Sequence, residues 1–213
     1  MHTELSKARR RSNYCFHAST MWIPITIIAV VGAAALIVSF KNSDIETPDY
    51  KVVKTLGDVE IREYPKMLVA QTSLSSSSFE NSGSNGFRTI AGYIFGGNQG
   101  NQKIAMTAPV VMNMGDSATM YFVMPKQYQK EQLPTPNSAN VRIVEEAPKT
   151  LAVIKYGGFS SDKDIKRYCK ELEETLTQNN IQWKGGFMYM GYNAPWDVVN
   201  RRNEVAVEII TAR

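Results

Sequence analysis

The sequence predicts an α+β protein: one apolar span, then a globular domain of two like halves, each a set of antiparallel strands carrying one helix. Three observations point there. Met21 to Phe40 is a nearly continuous apolar run inside a longer stretch, Ser12 to Phe40, without formal charge. After residue 50, period-two strand patterning is interrupted once per half by helical spacing. The same pattern also recurs at an offset of 82 to 83: Val59, Ile61, Glu63, Pro65, Lys66, Leu68 and Ala70 match Val141, Ile143, Glu145, Pro148, Lys149, Leu151 and Val153. Two copies make a pseudo-twofold domain, not a solenoid.

Residues 1–20 form a basic tail in which Lys7, Arg9, Arg10 and Arg11 face only Glu4. About 20 apolar residues match a hydrocarbon core of about 30 Å, so 21–40 reads as a transmembrane helix. Trp22 stands as an interfacial anchor, and Pro24 falls in the first turn, where it is tolerated. Basic residues on the N-terminal side predict a cytoplasmic N-terminus and a C-terminal domain on the outer, periplasmic or exoplasmic, side. Ala33, Ala34 and Ala35 offer a signal-peptidase site, but Leu36, Ile37 and Val38 carry the apolar run past it, which favours an uncleaved anchor. Residues 41–49 are a polar linker, and 50–213 the domain, with halves near 50–125 and 140–213.

In the first half, 50–64 and 66–74 alternate as strands, with Val59 and Ile61 set against Glu60 and Arg62. Phe87, Ile90, Ala91 and Ile94 recur at helical spacing behind a Ser84 or Asn85 cap, and Gly96-Gly97 stops the helix. Lys103–Met112 and Thr119–Met124 are β-rich around a turn at Gly115-Asp116. The second half repeats the order: strands near 140–147 and 149–157, a helix lined by Ile165, Tyr168, Cys169, Leu172 and Leu176, and strands near 186–192 and 203–211. Ser161 with Asp164 resembles a capping box, and Asn179-Asn180 ends that helix. A second correspondence, at an offset of 86, sets Ala108-Pro109 against Ala194-Pro195.

Composition excludes several classes of chemistry. Cys15 and Cys169 give no disulfide framework and no CxxC. His2 and His17 are the sole histidines, so the domain holds no histidine base, triad or zinc ligand. The net charge of +4 sits mostly in the tail, leaving 20 basic and 19 acidic residues over 41–213, which argues against nucleic acid as a partner. Gly96-Gly97-Asn98-Gln99-Gly100 lacks the phosphate-loop arrangement. Ser75–Ser78 reads as a solvated loop, Cys169 as a buried inert thiol, Met120 and Met124 as core, and Arg201 with Arg202 as much a structural ion-pair network as a ligand site.

Several motifs taken together resemble the SOUL heme-binding family: Ile61-Arg62-Glu63-Tyr64-Pro65, Tyr93-Ile94-Phe95-Gly96-Gly97-Asn98, Lys103–Val110, Phe122-Val123-Met124-Pro125, Gly157-Gly158-Phe159, Tyr192-Asn193-Ala194-Pro195 and Arg201–Val205. The resemblance spans 50–213 and implies a twisted antiparallel sheet or distorted barrel. It also implies non-covalent binding of heme or a related tetrapyrrole in an apolar cleft, between the first-half helix and the segment before the last strand, without a catalysed reaction.

Carried onto this chain, the implied walls are Phe87, Ile90, Ile94, Met106, Tyr192 and Trp196, and the rim cations Arg88 and Lys103. A porphyrin is a flat apolar plate with two carboxylates, which needs such walls and such donors. Trp196-Asp197 departs from a pattern in which a basic residue would meet a propionate. Histidine ligation of the iron is excluded; Met106, Met188, Met190 and Tyr192 remain as axial candidates, and grip through the macrocycle faces alone is preferred. The blander reading of Phe87, Ile90 and Ile94 is core against the sheet. Two alternatives stand beside a heme carrier, buffer or sensor: an effector-binding module for another flat hydrophobic molecule, and a ligand-free protein-interaction module. Catalysis would have to rest on Glu60, Glu63, Glu204 or Tyr192, which no spacing pairs.

Overall fold

The computed structural model describes residues 45–194 and 196–211. The basic tail, the apolar span, residues 41–44 and Pro195 lie outside the described residues, and among those described no helix is long and apolar enough to cross a membrane. The elements are β1 (Lys51–Leu56), β2 (Val59–Tyr64), β3 (Met67–Ser73), α1 (Phe79–Ile94), β4 (Val110–Asn113), β5 (Thr119–Val123), β6 (Arg142–Glu146), β7 (Lys149–Tyr156), α2 (Asp162–Gln178), β8 (Trp183–Gly191) and β9 (Asn203–Ile209). All nine strands form one antiparallel sheet in the order β1-β2-β7-β9-β8-β4-β5-β3-β6.

That order carries the duplication. Exchanging β2 through β5 for β6 through β9 returns the same order read from the other end, with β1 left over. Register agrees: Ile61 faces Ala152 in the β2–β7 pair, and Ile143 faces Ala70 in the β3–β6 pair, each residue 82 positions from its counterpart. The helix starts meet on the same relation. The Asp162 carboxylate accepts from the Phe79 N–H (2.8 Å) and the Ser78 hydroxyl (2.6 Å), while Glu80 accepts from the Asp162 N–H at 3.4 Å. Each acid thus satisfies orphan amides at the positive end of the other helix. The Ala-Pro correspondence does not hold, because Ala108-Pro109 directly precedes β4 whereas Ala194 follows β8.

Three sequence-based boundaries also shift. The run 50–64 breaks into β1 and β2 at Gly57, whose φ of +60° suits a turn. Helix α1 begins behind Ser78, which caps Asn81, and not behind Ser84 or Asn85. Its first two turns bury Ser82, Gly83 and Gly86, small residues that bring the helix close to the sheet and leave no apolar stripe to read. Lys103–Met112 is a strand only from Val110. Lys103 makes an isolated bridge to Phe95, and the stretch before β4 takes no ladder position. Buried Asn98 fixes that turn by donating to the carbonyls of Tyr93 and Gln102 (2.8 Å each) and accepting from the Gln102 N–H at 2.9 Å.

Two cores result. One joins the helices, through Ile90, Tyr93, Ile94, Ile165, Leu172 and Leu176, to the strand residues beneath them. The other, built on Tyr64, Val69, Val111, Tyr121, Leu151 and Met190, contains no helical residue. A sheet face without helices is buried only if the sheet rolls over it. The connectors require this: two residues join β2 to β3 and two join β6 to β7, a reach of about 11 Å, although strands six places apart on a flat sheet lie about 29 Å apart. The ladder nevertheless stays open, with β1 and β6 as its edges, so the closed-barrel variant of the expected fold is not realised.

Candidate ligand-binding surface

The loop between β8 and β9 is built on a buried charge cluster. Glu204 has no exposed surface and accepts four hydrogen bonds: from Arg62 Nη1 (2.9 Å) and the Tyr192 hydroxyl (2.8 Å) on one oxygen, and from Arg202 Nε (3.0 Å) and Nη2 (2.7 Å) on the other. Arg62, also buried, gives its Nε to Glu60 at 2.7 Å and lies 4.4 Å under the Tyr50 ring; Arg202 lies 4.0 Å from the Tyr192 ring. Burial works against the Arg62 charge, but the Glu204 carboxylate, with smaller help from Tyr64 and Glu60, offsets it and holds the guanidinium above its ordinary range. Burial, reinforced by the Glu204 charge, pushes the Tyr192 phenol well up, so Tyr192 stays neutral. With its acceptor positions filled, Glu204 is no general base, and the cluster works as a clamp.

The clamp holds the loop above it. The Tyr192 N–H donates to the Arg202 carbonyl (3.3 Å), and the Arg202 N–H to the Asn193 side chain (2.7 Å). Arg201 Nη1 pins the turn through the carbonyls of Ala194 (3.0 Å) and Asp197 (2.6 Å) and stacks 4.5 Å from the Phe159 ring. Asp197 turns inward, accepts from the Ala194 N–H at 2.9 Å and is buried. The acid that departs from the expected pattern is therefore not offered to a ligand. What the loop does offer is apolar: Trp196 (66% exposed), Val198 (62%) and Val199 (44%), with Phe159 (64%) alongside.

The eight sequence-expected residues fall into four settings. Ile90 and Ile94 are fully buried under α1, and Phe87 and Met106 pack at the edge of that core, Phe87 with its ring 5.3 Å from Phe122. Arg88 and Lys103 are exposed cations that form no ion pair among the described residues. Tyr192 belongs to the clamp, and Trp196 stands at the loop tip. None of the eight lines either of two cavities: one of about 980 Å³ beside Tyr50, Tyr64, Lys149, Lys184 and Glu208, and one of about 270 Å³ beside Glu46, Met67, Met124 and Tyr128. As axial candidates, Met188 and Met190 are buried in the helix-free core and Tyr192 is held neutral, which leaves Met106 at the core edge. Outside those eight, Phe95, 60% exposed beside Lys103, and Phe159 lie inside the quoted motifs without having been assigned to the site, and Val198 and Val199 lie outside the motifs. Aromatic residues next to Gly96-Gly97 and after Gly157-Gly158 were the available signal.

Comparison with known proteins decides the family. The SOUL heme-binding protein model matches residues 45–208. The chain belongs to the SOUL heme-binding family. Among curated relatives, heme-binding protein 2 of Mus musculus is 30% identical over 184 residues, covering 78% of this chain and 86% of that protein. Heme-binding protein 2 of Homo sapiens is 30% identical over 174 residues (76% and 84%), and heme-binding protein 1 of Xenopus laevis 25% over 154 residues (68% and 80%). Among solved structures, the C-terminal domain of EcmrR aligns with a TM-score of 0.57 at 11% identity, over 76% of this chain and 99% of that one. A hydrolase from Listeria innocua aligns at 0.51 and 7% identity, over 74% and 94%. Identities that low establish a shared fold alone.

Proposed function

We propose that this SOUL protein is a membrane-anchored binder of heme or a related tetrapyrrole, which it holds through the macrocycle faces without catalysing a reaction. The observation that carries the reading is that the expected residues remaining at the surface are of the kinds the ligand needs. Trp196 offers an apolar face, and Arg88 and Lys103 are exposed cations, without an ion pair among the described residues, suited to carboxylates. Among the residues weighed as base or axial ligand, Glu204 and Tyr192 are tied into the clamp, and Met188 and Met190 are buried. The apolar run 21–40 would anchor the chain, and the basic tail would keep the N-terminus cytoplasmic and the domain on the outer side.

The test is a Soret-band titration of hemin into wild type and three variants. Trp196→Ala should weaken binding about tenfold, the scale of a lost aromatic face, and Arg88→Ala and Lys103→Ala about two- to fivefold each, the scale of exposed charge pairs. Unchanged affinity in all three would place any bound ligand elsewhere, with the 980 Å³ cavity and its Lys149 and Lys184 next to be substituted.

A further inference from the structure

We propose that the crown of the β8–β9 loop, Trp196, Val198 and Val199 with the neighbouring Phe159, is a bilayer-contacting surface that dips into the headgroup region of a phospholipid membrane. The inference rests on the reading that residues 21–40 lie in that membrane.

The crown gathers the exposed Phe159, Trp196, Val198 and Val199 on two loops joined by the stacking of Arg201 on Phe159. Single exposed apolar residues need no explanation, but a cluster of this kind marks an interaction surface. Its charge suits lipid. Across 157–161 and 193–202 the sole acid is Asp197, which is buried and bonded inside its own turn, while Arg201 and Arg202 lie at the base. Tryptophan above apolar side chains, with the Arg201 cation behind, Arg202 held by Glu204, and no exposed carboxylate on the two loops, is the composition of an interfacial anchor.

Chain length brings this surface within reach. The segment leading into β1 is fastened at Glu46, whose carbonyl accepts from the Ala108 N–H (2.9 Å) and whose carboxylate accepts from the Lys126 N–H (2.8 Å). Five residues from Phe40, at the end of the apolar run, lead to Ile45, a reach of at most about 18 Å. A domain held that closely must turn some part of its surface to the headgroups. Tyr50, four residues past Glu46, has its hydroxyl 3.5 Å from Arg202 Nη2, at the base of the crown.

The experiment uses the full chain with Trp22→Phe and Trp183→Phe, so that Trp196 alone reports, reconstituted into phosphatidylcholine–phosphatidylglycerol vesicles whose acyl chains carry bromine. Resistance to alkaline carbonate reads the anchor, and quenching of Trp196 by the brominated lipid reads the crown. The expectation is a carbonate-resistant chain whose Trp196 emission falls by at least half, and a loss of most of that quenching when Val198→Asp and Val199→Asp are added, with the circular dichroism spectrum unchanged. A resistant chain with unquenched Trp196 overturns the crown contact and leaves the anchor standing. So does quenching that is indifferent to the two aspartates. An extractable chain that is still quenched removes the anchor and keeps the contact, whereas an extractable, unquenched chain removes both.

Discussion

Replacing Glu204 by glutamine probes the clamp on which the ligand-facing loop is built. The substitution keeps the shape and one acceptor oxygen but removes the charge that faces two guanidinium groups and the Tyr192 hydroxyl. Arg62 would remain buried, with Glu60 as its remaining acid at 2.7 Å, a carboxylate open to solvent and correspondingly weak as a partner. Stranding one member of a buried pair costs about 3–5 kcal/mol. Because glutamine still accepts and Glu60 remains, the low end applies, about 3 kcal/mol. Both cores draw on residues 56–209, so a chain of 41–213 holds every contact involved. In urea denaturation followed by circular dichroism, with a slope of about 2 kcal/mol/M, the midpoint should fall by about 1.5 M. Arg62→Met should cost less, about 2 kcal/mol, because Glu204 keeps Arg202 and Tyr192. The double variant should fall short of the sum by at least about 1 kcal/mol. A loss under about 1 kcal/mol for Glu204→Gln, or strict additivity, would refute the clamp.

Other substitutions test the frame. Asn98→Ala removes three hydrogen bonds at a buried turn and should cost about 3 kcal/mol in a thermal or urea melt; wild-type stability would show that the turn holds itself. Gly186→Ala would set a methyl against the backbone of Gly115, which cannot swing aside as a side chain would, and should cost about 1–3 kcal/mol in the same melt. Burial, with Glu173 nearby, pushes the Cys169 thiol up to about 11 from an ordinary 9.0. The folded state therefore favours the neutral thiol, and its contribution to stability is complete below pH 9 and lost as pH rises toward about 11. In a Cys15→Ser chain, iodoacetamide should label Cys169 at pH 8 about a hundredfold more slowly than an unfolded control. Equal rates would contradict the burial.

How much was legible in the sequence depends on whether a position speaks through its own side chain. The strands of each half announced themselves because Val59, Ile61, Val141 and Ile143 alternate with polar residues, and the offset of 82 that relates Ile61 to Ile143 also relates their partners, Ala70 and Ala152. Helix α2 was readable from its cap and stripe. The first two turns of α1 were not, because the buried face there is Ser82, Gly83 and Gly86, chosen for close approach and so silent to hydrophobic periodicity. At the candidate site, residue types were legible but directions were not. Ile90 and Ile94 look identical in sequence whether they face a cleft or the sheet, and it is packing that turns them into core. Asp197 reads as an exposed loop acid until its hydrogen bond to Ala194 is seen. Tyr192 reads as a wall or ligand until Glu204, twelve residues on but adjacent in space, claims its hydroxyl.

The central claim is that the domain grips a tetrapyrrole by its faces, with no histidine after residue 17 to hold an iron. The most direct measurement is a pair of titrations of residues 41–213, one with hemin followed at the Soret band and one with iron-free protoporphyrin followed by fluorescence. Saturable one-to-one binding of both, with affinities within about tenfold, a difference of 1.4 kcal/mol, is the predicted result. Binding of hemin with no binding of protoporphyrin would mean that the iron is held by a protein ligand, and saturable binding of neither would contradict the account outright.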